Sequence, residues 1–111
     1  MRALIMLINS TGTWQHKGCY INQSPKRALP VSFDNSVSGN QGNRNVFEHC
    51  RDKAESFGYK LFGVDNKNCW SGNDAENTYD DHGVSSECYV NKQGYGVGSE
   101  INGDVFVYRY H

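Results

Sequence analysis

Four cysteines constrain the fold of this chain more than any other feature of its 111 residues. They are Cys19, Cys50, Cys69 and Cys88, and no two of them lie about two to four residues apart, the spacing that structural zinc sites use. The chain also lacks the C-x-x-C motif of redox proteins. An even number of cysteines in a short chain is typical of disulfide-bonded proteins from oxidising compartments. The sequence therefore predicts two disulfide bonds and an extracellular location, and leaves the pairing open.

Composition and charge narrow the class of function. Hydrophobic residues make up 37% of the chain, which is low for a globular domain, so the crosslinks are expected to supply stability that a thin core does not. The formal net charge of −1 offers no basic surface for phosphates, so a nucleic-acid partner is not expected. No apolar run reaches the roughly twenty residues of a membrane-spanning helix. We expect a single domain over residues 1–111 without a membrane span.

The amino-terminal segment has two interpretations. The apolar run from Met1 to Ile8 is shorter than the about seven to fifteen apolar residues of a secretory signal. A signal remnant and a strand of the mature fold both remain open, and we favour an N-terminal strand or extension over residues 1–17. Asn9-Ser10-Thr11 and Asn22-Gln23-Ser24 match the N-glycosylation acceptor pattern, which agrees with secretion.

One segment carries the period of a helix. Between residues 45 and 58 the apolar residues recur every three or four positions, at Val46, Phe47, Cys50, Ala54 and Phe57. Asn45 is suited to cap the amino terminus, and Glu48 lies where the carboxylate of a capping box belongs. Gly58 supplies a left-handed stop. We therefore predict one main helix with Cys50 on its buried face.

Several segments are rich in strand formers. Tyr59–Val64 alternates and follows the helix, and Asp104–Tyr110 has the same character near the other end. Shorter candidates are Gly18–Asn22 and Cys88–Val90. One helix among several short strands predicts an α+β fold in which the helix packs on an antiparallel sheet.

An ordered series of motifs runs from Gly18 to Arg109: Gly18-Cys19-Tyr20, Arg27-Ala28-Leu29-Pro30, Cys50 followed by Ala54 and Gly58, Phe62-Gly63-Val64, Cys69-Trp70-Ser71-Gly72, Ser86-Glu87-Cys88 and Val107-Tyr108-Arg109. Together these motifs resemble the GCY…RALP…CWSG modules of secreted marine invertebrate proteins, which look like relatives of the PAN/apple and WSC domains. The chain has fewer cysteines than those domains usually carry.

The resemblance has implications for fold and function. It implies an adhesion or carbohydrate-recognition module in which a helix is cradled by a curved, PAN/apple-like antiparallel sheet. It also implies that Cys50 pairs with Cys69 and that Cys19 pairs with Cys88.

Residues 65–81 concentrate carboxylates and amides around two aromatic residues. Sugars are bound by such polar groups together with an aromatic face that stacks on the ring. We predict a ligand-binding site in which Trp70 and Tyr79 supply the face and in which the polar contacts come from Asn73, Asp74, Asp80 and Asp81. The alternative is a solvated acidic loop with Trp70 packed against a disulfide between Cys50 and Cys69.

The carboxylate and amide oxygens of residues 65–81 could instead bind calcium. It requires about six to eight oxygen ligands from carboxylates, amides, backbone carbonyls and water. The predicted metal ligands are Asp65, Asn68, Asp74 and Glu76, although their spacing does not match an EF-hand.

Catalysis has weaker support. The histidines are His16, His49, His82 and His111, and Glu48 and Asp81 lie beside two of them. None of the motifs of serine hydrolases, zinc proteases or phosphate-binding loops is present. Two disulfides would leave no thiol nucleophile. We do not expect an enzyme.

The sequence thus favours a secreted, non-catalytic, lectin-like module that binds glycans or glycoproteins. The first alternative is a structural or adhesive protein of the extracellular matrix that acts in cell adhesion through protein contacts, including contacts between copies of itself. A small secreted hydrolase is the third interpretation.

Overall fold

The computed structural model describes residues 12–37 and 42–111. Its strands are β1 (Trp14–Ile21), β2 (Val31–Asp34), β3 (Leu61–Val64), β4 (Cys69–Ser71), β5 (Tyr89–Val90), β6 (Gly96–Val97) and β7 (Asp104–Tyr110). The helices are α1 (Asn43–Phe57) and α2 (Ala75–Thr78). Residues 1–11 of the expected N-terminal strand lie outside the described residues, whereas 14–17 belong to β1. Neither described helix has the length and hydropathy that a membrane crossing requires.

The strands form one main antiparallel sheet and one small hairpin. The main sheet has five strands in the order β1-β7-β3-β4-β2, and β5 pairs with β6 separately. Strand β7 is hydrogen-bonded to β1 on one side and to β3 on the other. The predicted α+β class is therefore confirmed as an antiparallel sheet with one main helix.

Both faces of the sheet are covered. Successive residues of a strand point to opposite faces, and those of β7 join different clusters. Phe106 and Tyr108 pack with α1 on what we call the helix face, while Val105 and Val107 lie on the opposite face. The opposite face also receives Leu29, Leu61, Trp70 and Ala75. This second layer explains why β7 is apolar almost without interruption.

Both disulfides have the pairing that the resemblance implied. Cys50 of α1 bonds to Cys69 of β4, with Cα atoms 5.6 Å apart, and both residues are fully buried. Cys19 of β1 bonds to Cys88, with Cα atoms 5.9 Å apart. One bridge therefore fixes the helix to the sheet, and the other fixes β1 to the segment that precedes β5.

The start of α1 differs from the prediction. The helix begins at Asn43 and the capping position is Gly42, with no side-chain hydrogen bond to the first turn. The expected cap at Asn45 is therefore wrong, because Asn45 lies within the helix. The side chain of Asn43 is buried and donates to the backbone carbonyls of Tyr89 and Tyr95, at 3.1 and 2.8 Å. These tertiary contacts fix the first turn in place of a local cap.

The predicted capping box is wrong for the same reason. Glu48 forms an ion pair with Arg44 at 3.3 Å, four positions earlier on the helix surface. The predicted stop is confirmed, since Gly58 has a φ of 81° and its N–H reaches the carbonyls of Ala54 and Glu55. A left-handed residue at this position favours glycine.

The segment before β2 is held against the opposite face. The N–H of Leu29 donates to Oδ1 of Asn22 at 2.7 Å, and Nδ2 of Asn22 donates to the carbonyl of Leu29 at 3.2 Å. Asn22 is buried, so its match to the glycosylation pattern marks a structural amide. Leu29 packs so tightly that a Cβ on Gly63 would lie 2.9 Å from its Cδ1 and 2.8 Å from Cγ2 of Val105.

Candidate functional site

Trp70 lies at the centre of the candidate site, on the opposite face of the sheet. Because Cys69 and Trp70 are adjacent in β4, the disulfide points towards α1 and the indole points away from it. The indole Nε1 donates to Oδ2 of Asp65 at 2.8 Å, and the guanidinium of Arg27 lies over the ring with Cζ 4.6 Å from the centroid. Trp70 is only 9% exposed. The ring thus supports Arg27 and leaves little surface on which a sugar could stack.

Asp65 organises the turn between β3 and β4. Its Oδ1 accepts the backbone N–H groups of Lys67 and Asn68, at 2.8 and 2.7 Å, while Oδ2 accepts the indole of Trp70. Oδ1 of Asn68 accepts a hydrogen bond from the Ser32 hydroxyl at 3.0 Å. Both Asp65 and Asn68 are buried. Their oxygens therefore already have partners within the protein.

The predicted calcium ligands do not come together. Oε1 of Glu76 pairs with Arg109 at 3.2 Å, and Oδ1 of Asp74 accepts a hydrogen bond from Nδ2 of Asn77 at 2.7 Å. Within residues 12–37 and 42–111, one group of three or more His, Cys, Asp or Glu residues has its ligand atoms within 4.8 Å of one another, and it consists of Cys19, Cys88 and Asp104. Its two sulfurs form a disulfide. Hence the described side chains do not assemble the predicted calcium set.

Two predicted ligand residues, Asp74 and Asp81, line one pocket, which we call the Arg27 pocket. Its volume is ≈ 400 Å³, and its walls are Lys26, Arg27, Ala28, Pro30, Asp74, Ala75, Thr78, Asp81 and His82. Asn73 lines a different depression, beside Glu76. The predicted set is thus divided, and the pocket adds Arg27 to it, a residue that the sequence marked only as part of the motif Arg27-Ala28-Leu29-Pro30.

Tyr79 is half-buried and packs against the opposite-face cluster. Its ring meets Tyr20 edge-on, with centroids 5.0 Å apart. Burial raises the pKa of Tyr20, and the neighbouring Tyr79 and the charge of Asp80 raise it further. Tyr79 and Asp80 are therefore next to Tyr20 and are not among the pocket walls.

The walls of the Arg27 pocket are tied to each other. His82 Nε2 lies 2.6 Å from the carbonyl of Lys26, and since a carbonyl only accepts, this nitrogen donates. The Thr78 hydroxyl donates to the carbonyl of Ala28 at 2.6 Å. These two bonds hold residues 26–28 against the segment that contains α2. The pocket is therefore formed before any ligand binds.

Charges of both signs face this pocket without neutralising each other. Arg27 forms no ion pair with any residue of the described chain, and its Nε is buried without a hydrogen-bond partner. The carboxylate of Asp81 likewise has no hydrogen-bond or ion-pair partner among the described side chains. Arg27 is half-buried and Asp81 is exposed, so charge-assisted hydrogen bonds from a ligand would stabilise the guanidinium most. The site is therefore suited to a polar ligand that both donates and accepts hydrogen bonds.

A Ser, His and Asp cluster lies near α1, and the sequence did not predict it. His49 Nε2 is 3.1 Å from Oδ2 of Asp34 and 3.2 Å from the hydroxyl of Ser36. Both partners meet the same ring nitrogen, whereas a catalytic triad places the acid and the nucleophile on different nitrogens. Burial tends to raise the pKa of Asp34, but hydrogen bonds from Ser36 and the charge of His49 outweigh it, so the pKa is lowered. The cluster is a hydrogen-bonded Asp, His and Ser group, and its Asp34–His49 contact is an ion pair only when His49 is protonated.

A second depression, of ≈ 570 Å³, lies beside the β5–β6 hairpin, and its walls include Asn66, Glu87, Tyr89 and Asn91. The ring of Tyr89 is 68% exposed. The sequence placed Tyr89 only within the strand candidate Cys88–Val90, because nothing local distinguishes an exposed tyrosine from one buried in a sheet.

Comparison of the chain with known protein families, with curated proteins and with solved structures gives no match. The resemblance to PAN/apple and WSC domains therefore stays a prediction from the motifs quoted above.

Proposed function

We propose that the protein is a secreted, non-catalytic carbohydrate-binding module of PAN/apple-like architecture that binds glycans in the Arg27 pocket. The observation that carries the proposal is the presence of an unpaired guanidinium and an unpaired carboxylate in one preformed pocket. Sugar hydroxyls donate to carboxylates and accept from guanidinium groups, so one saccharide can satisfy both.

The remaining walls agree with this use. Ala28, Pro30 and Ala75 provide a small apolar surface for the C–H side of a sugar ring. A pocket with apolar walls and a few fixed polar groups is the usual form of a small-molecule site. Because the two segments are already tied by His82 and Thr78, binding does not have to order them. The two disulfides agree with an oxidising, extracellular setting.

A glycan array with a matched pair of variants tests the proposal. Asp81→Asn removes a charge that lines the pocket, whereas Asp80→Asn removes the adjacent charge, which does not line it. We expect Asp81→Asn to lower the affinity for the bound glycan about tenfold or more and Asp80→Asn to leave it nearly unchanged. Equal losses in the two variants, or a wild-type protein that binds no glycan, would reject the proposal.

The same array, repeated with a chelator, tests the calcium interpretation. Because Asp65, Asn68 and Glu76 are engaged with other residues, we expect glycan binding to persist in the chelator. Loss of binding that added calcium restores would show that a metal is required.

One observation favours the alternative of adhesion through protein contacts. Val84, Tyr89 and Val90 are exposed by 72%, 68% and 47%, and such apolar side chains, where they are contiguous, mark interaction surfaces. This alternative predicts self-association, measured by analytical ultracentrifugation, that Tyr89→Ser weakens and free sugars do not inhibit. A protein that stays monomeric at all concentrations would exclude contacts between copies.

A further inference from the structure

We infer that the ligand of the Arg27 pocket is an acidic sugar, such as a uronic or sialic acid residue, and that Arg27 binds its carboxylate. This inference rests on the proposed function and names the class of saccharide that the pocket takes.

The first step is the way in which Arg27 is held. Its guanidinium lies on the ring of Trp70 at 4.6 Å, and Trp70 is itself fixed by the hydrogen bond to Asp65. A guanidinium that stacks on an aromatic ring uses its flat face and keeps its N–H groups directed outward in its plane. Arg27 is therefore oriented by the protein, and because its Nε is buried, the two terminal Nη groups are the donors that a bidentate carboxylate would meet.

The second step is the missing acid partner. The other arginines in the described part of the chain are Arg44, Arg51 and Arg109, and each pairs with a carboxylate, namely Glu48, Asp52 and Glu76 respectively. Arg27 lies in a pocket with two carboxylates and pairs with neither. A planar carboxylate of the ligand is the group that matches the fork of a guanidinium.

The third step distinguishes an acidic sugar from a simple anion. Asp74 and Asp81 face the same pocket as Arg27 and Lys26. A sulfate ion has no hydrogen to donate to these carboxylates, whereas sugar hydroxyls donate hydrogen bonds to them. A ligand that carries one carboxylate and several hydroxyls satisfies both sides of the pocket at once.

The experiment compares an acidic oligosaccharide with its carboxyl-reduced, neutral counterpart by isothermal titration calorimetry. For the wild-type protein we expect the acidic form to bind about tenfold or more tightly, since it keeps the charge-assisted hydrogen bonds. Arg27→Met is expected to bind both forms with similar, weak affinity. Arg27→Lys is expected to keep part of the preference, because lysine preserves the charge but not the fork. Arg44→Met, on the exposed surface of α1, is the matched control and should retain the full preference.

The outcomes separate the inference from the proposed function. Equal binding of both forms by the wild-type protein would overturn the acidic-sugar inference and leave a neutral glycan as the ligand. Binding of neither form, nor of any glycan on the array, would overturn both. A preference that survives in folded Arg27→Met would show that another group binds the carboxylate. If Arg27→Met does not fold, the wild-type protein is compared with Arg27→Lys. A reduced preference for the acidic form in Arg27→Lys supports the role of Arg27, and an unchanged preference overturns it.

Discussion

Replacement of Trp70 by alanine should destabilise the protein strongly, because the indole is a structural group. Truncation of a buried aromatic residue to alanine costs about 3–5 kcal/mol, and leaving Oδ2 of Asp65 without its donor adds about 1–3 kcal/mol. The expected total, about 4–8 kcal/mol, is a large part of the about 5–15 kcal/mol by which domains are usually stable. Trp70→Ala is therefore expected to be largely unfolded or close to it.

Trp70→Phe isolates the hydrogen bond. It keeps an aromatic ring at the buried position and removes the donor to Asp65 together with part of the indole volume, so we expect a loss of at least about 1–3 kcal/mol in the free energy of unfolding. Trp14→Phe is the matched control, since the half-buried Trp14 also donates to a carboxylate, that of Glu55, at 3.0 Å, but through a solvent-exposed hydrogen bond. Its expected loss is about 0.5–1 kcal/mol, because a solvated hydrogen bond contributes less.

The assay is urea unfolding followed by far-ultraviolet circular dichroism with both disulfides intact. Circular dichroism is preferred to fluorescence because the variants remove the fluorophores themselves. An unfolding free energy of Trp70→Ala within about 0.5 kcal/mol of the wild type would refute the structural role of the indole. In that case Trp70 would return as a candidate face for sugar stacking, as the sequence suggested.

Three further predictions follow from contacts elsewhere in the sheet. Gly63→Ala should lower the free energy of unfolding by about 1–3 kcal/mol in urea titrations, because its Cβ would overlap the packed layer. The lowered pKa of Asp34 means that its carboxylate stabilises the fold at neutral pH and that this stabilisation is lost as the pH falls through the folded-state pKa. The Tm difference between wild type and Asp34→Asn should therefore be largest near neutrality and shrink below about pH 4, and a difference that grows with acid would contradict it. Loss of the Cys19–Cys88 bridge, which spans a separation of 69 residues, should cost about 4 kcal/mol, measured as the shift in unfolding free energy of the Cys19→Ser, Cys88→Ser double variant.

The elements with a strong local signal could be predicted from the sequence. The apolar period of three or four residues predicted α1. Gly58 predicted the end of the helix, because a helix can end wherever one residue adopts the left-handed conformation. The run Asp104–Tyr110 gave β7. The beginning of α1 could not be predicted, since Asn43 is fixed by carbonyls of Tyr89 and Tyr95, which lie far away in the sequence.

The candidate site was predictable only in part. The density of carboxylates and amides in residues 65–81 drew attention to a region that contains two walls of the pocket, Asp74 and Asp81. The sequence did not show that Asp65 accepts a hydrogen bond from the indole of Trp70. The residues around a carboxylate that is bonded within a turn look the same in sequence as those around a carboxylate that is free to bind a ligand. Nor did it place Arg27, which lies between β1 and β2, over Trp70 of β4, because only the fold creates this contact.

The adjacent residues Cys69 and Trp70 explain how one short strand serves two purposes. Cys69 points to the helix face and anchors α1 through its disulfide, whereas Trp70 points to the opposite face and orients Arg27. A change on the helix face should therefore alter stability without altering ligand preference. A change at Trp70 should alter both, since the same indole that fills the second layer also sets the direction of the guanidinium donors. In β4, the peptide bond between Cys69 and Trp70 thus joins the residue that is crosslinked to α1 to the residue that orients Arg27 in the pocket.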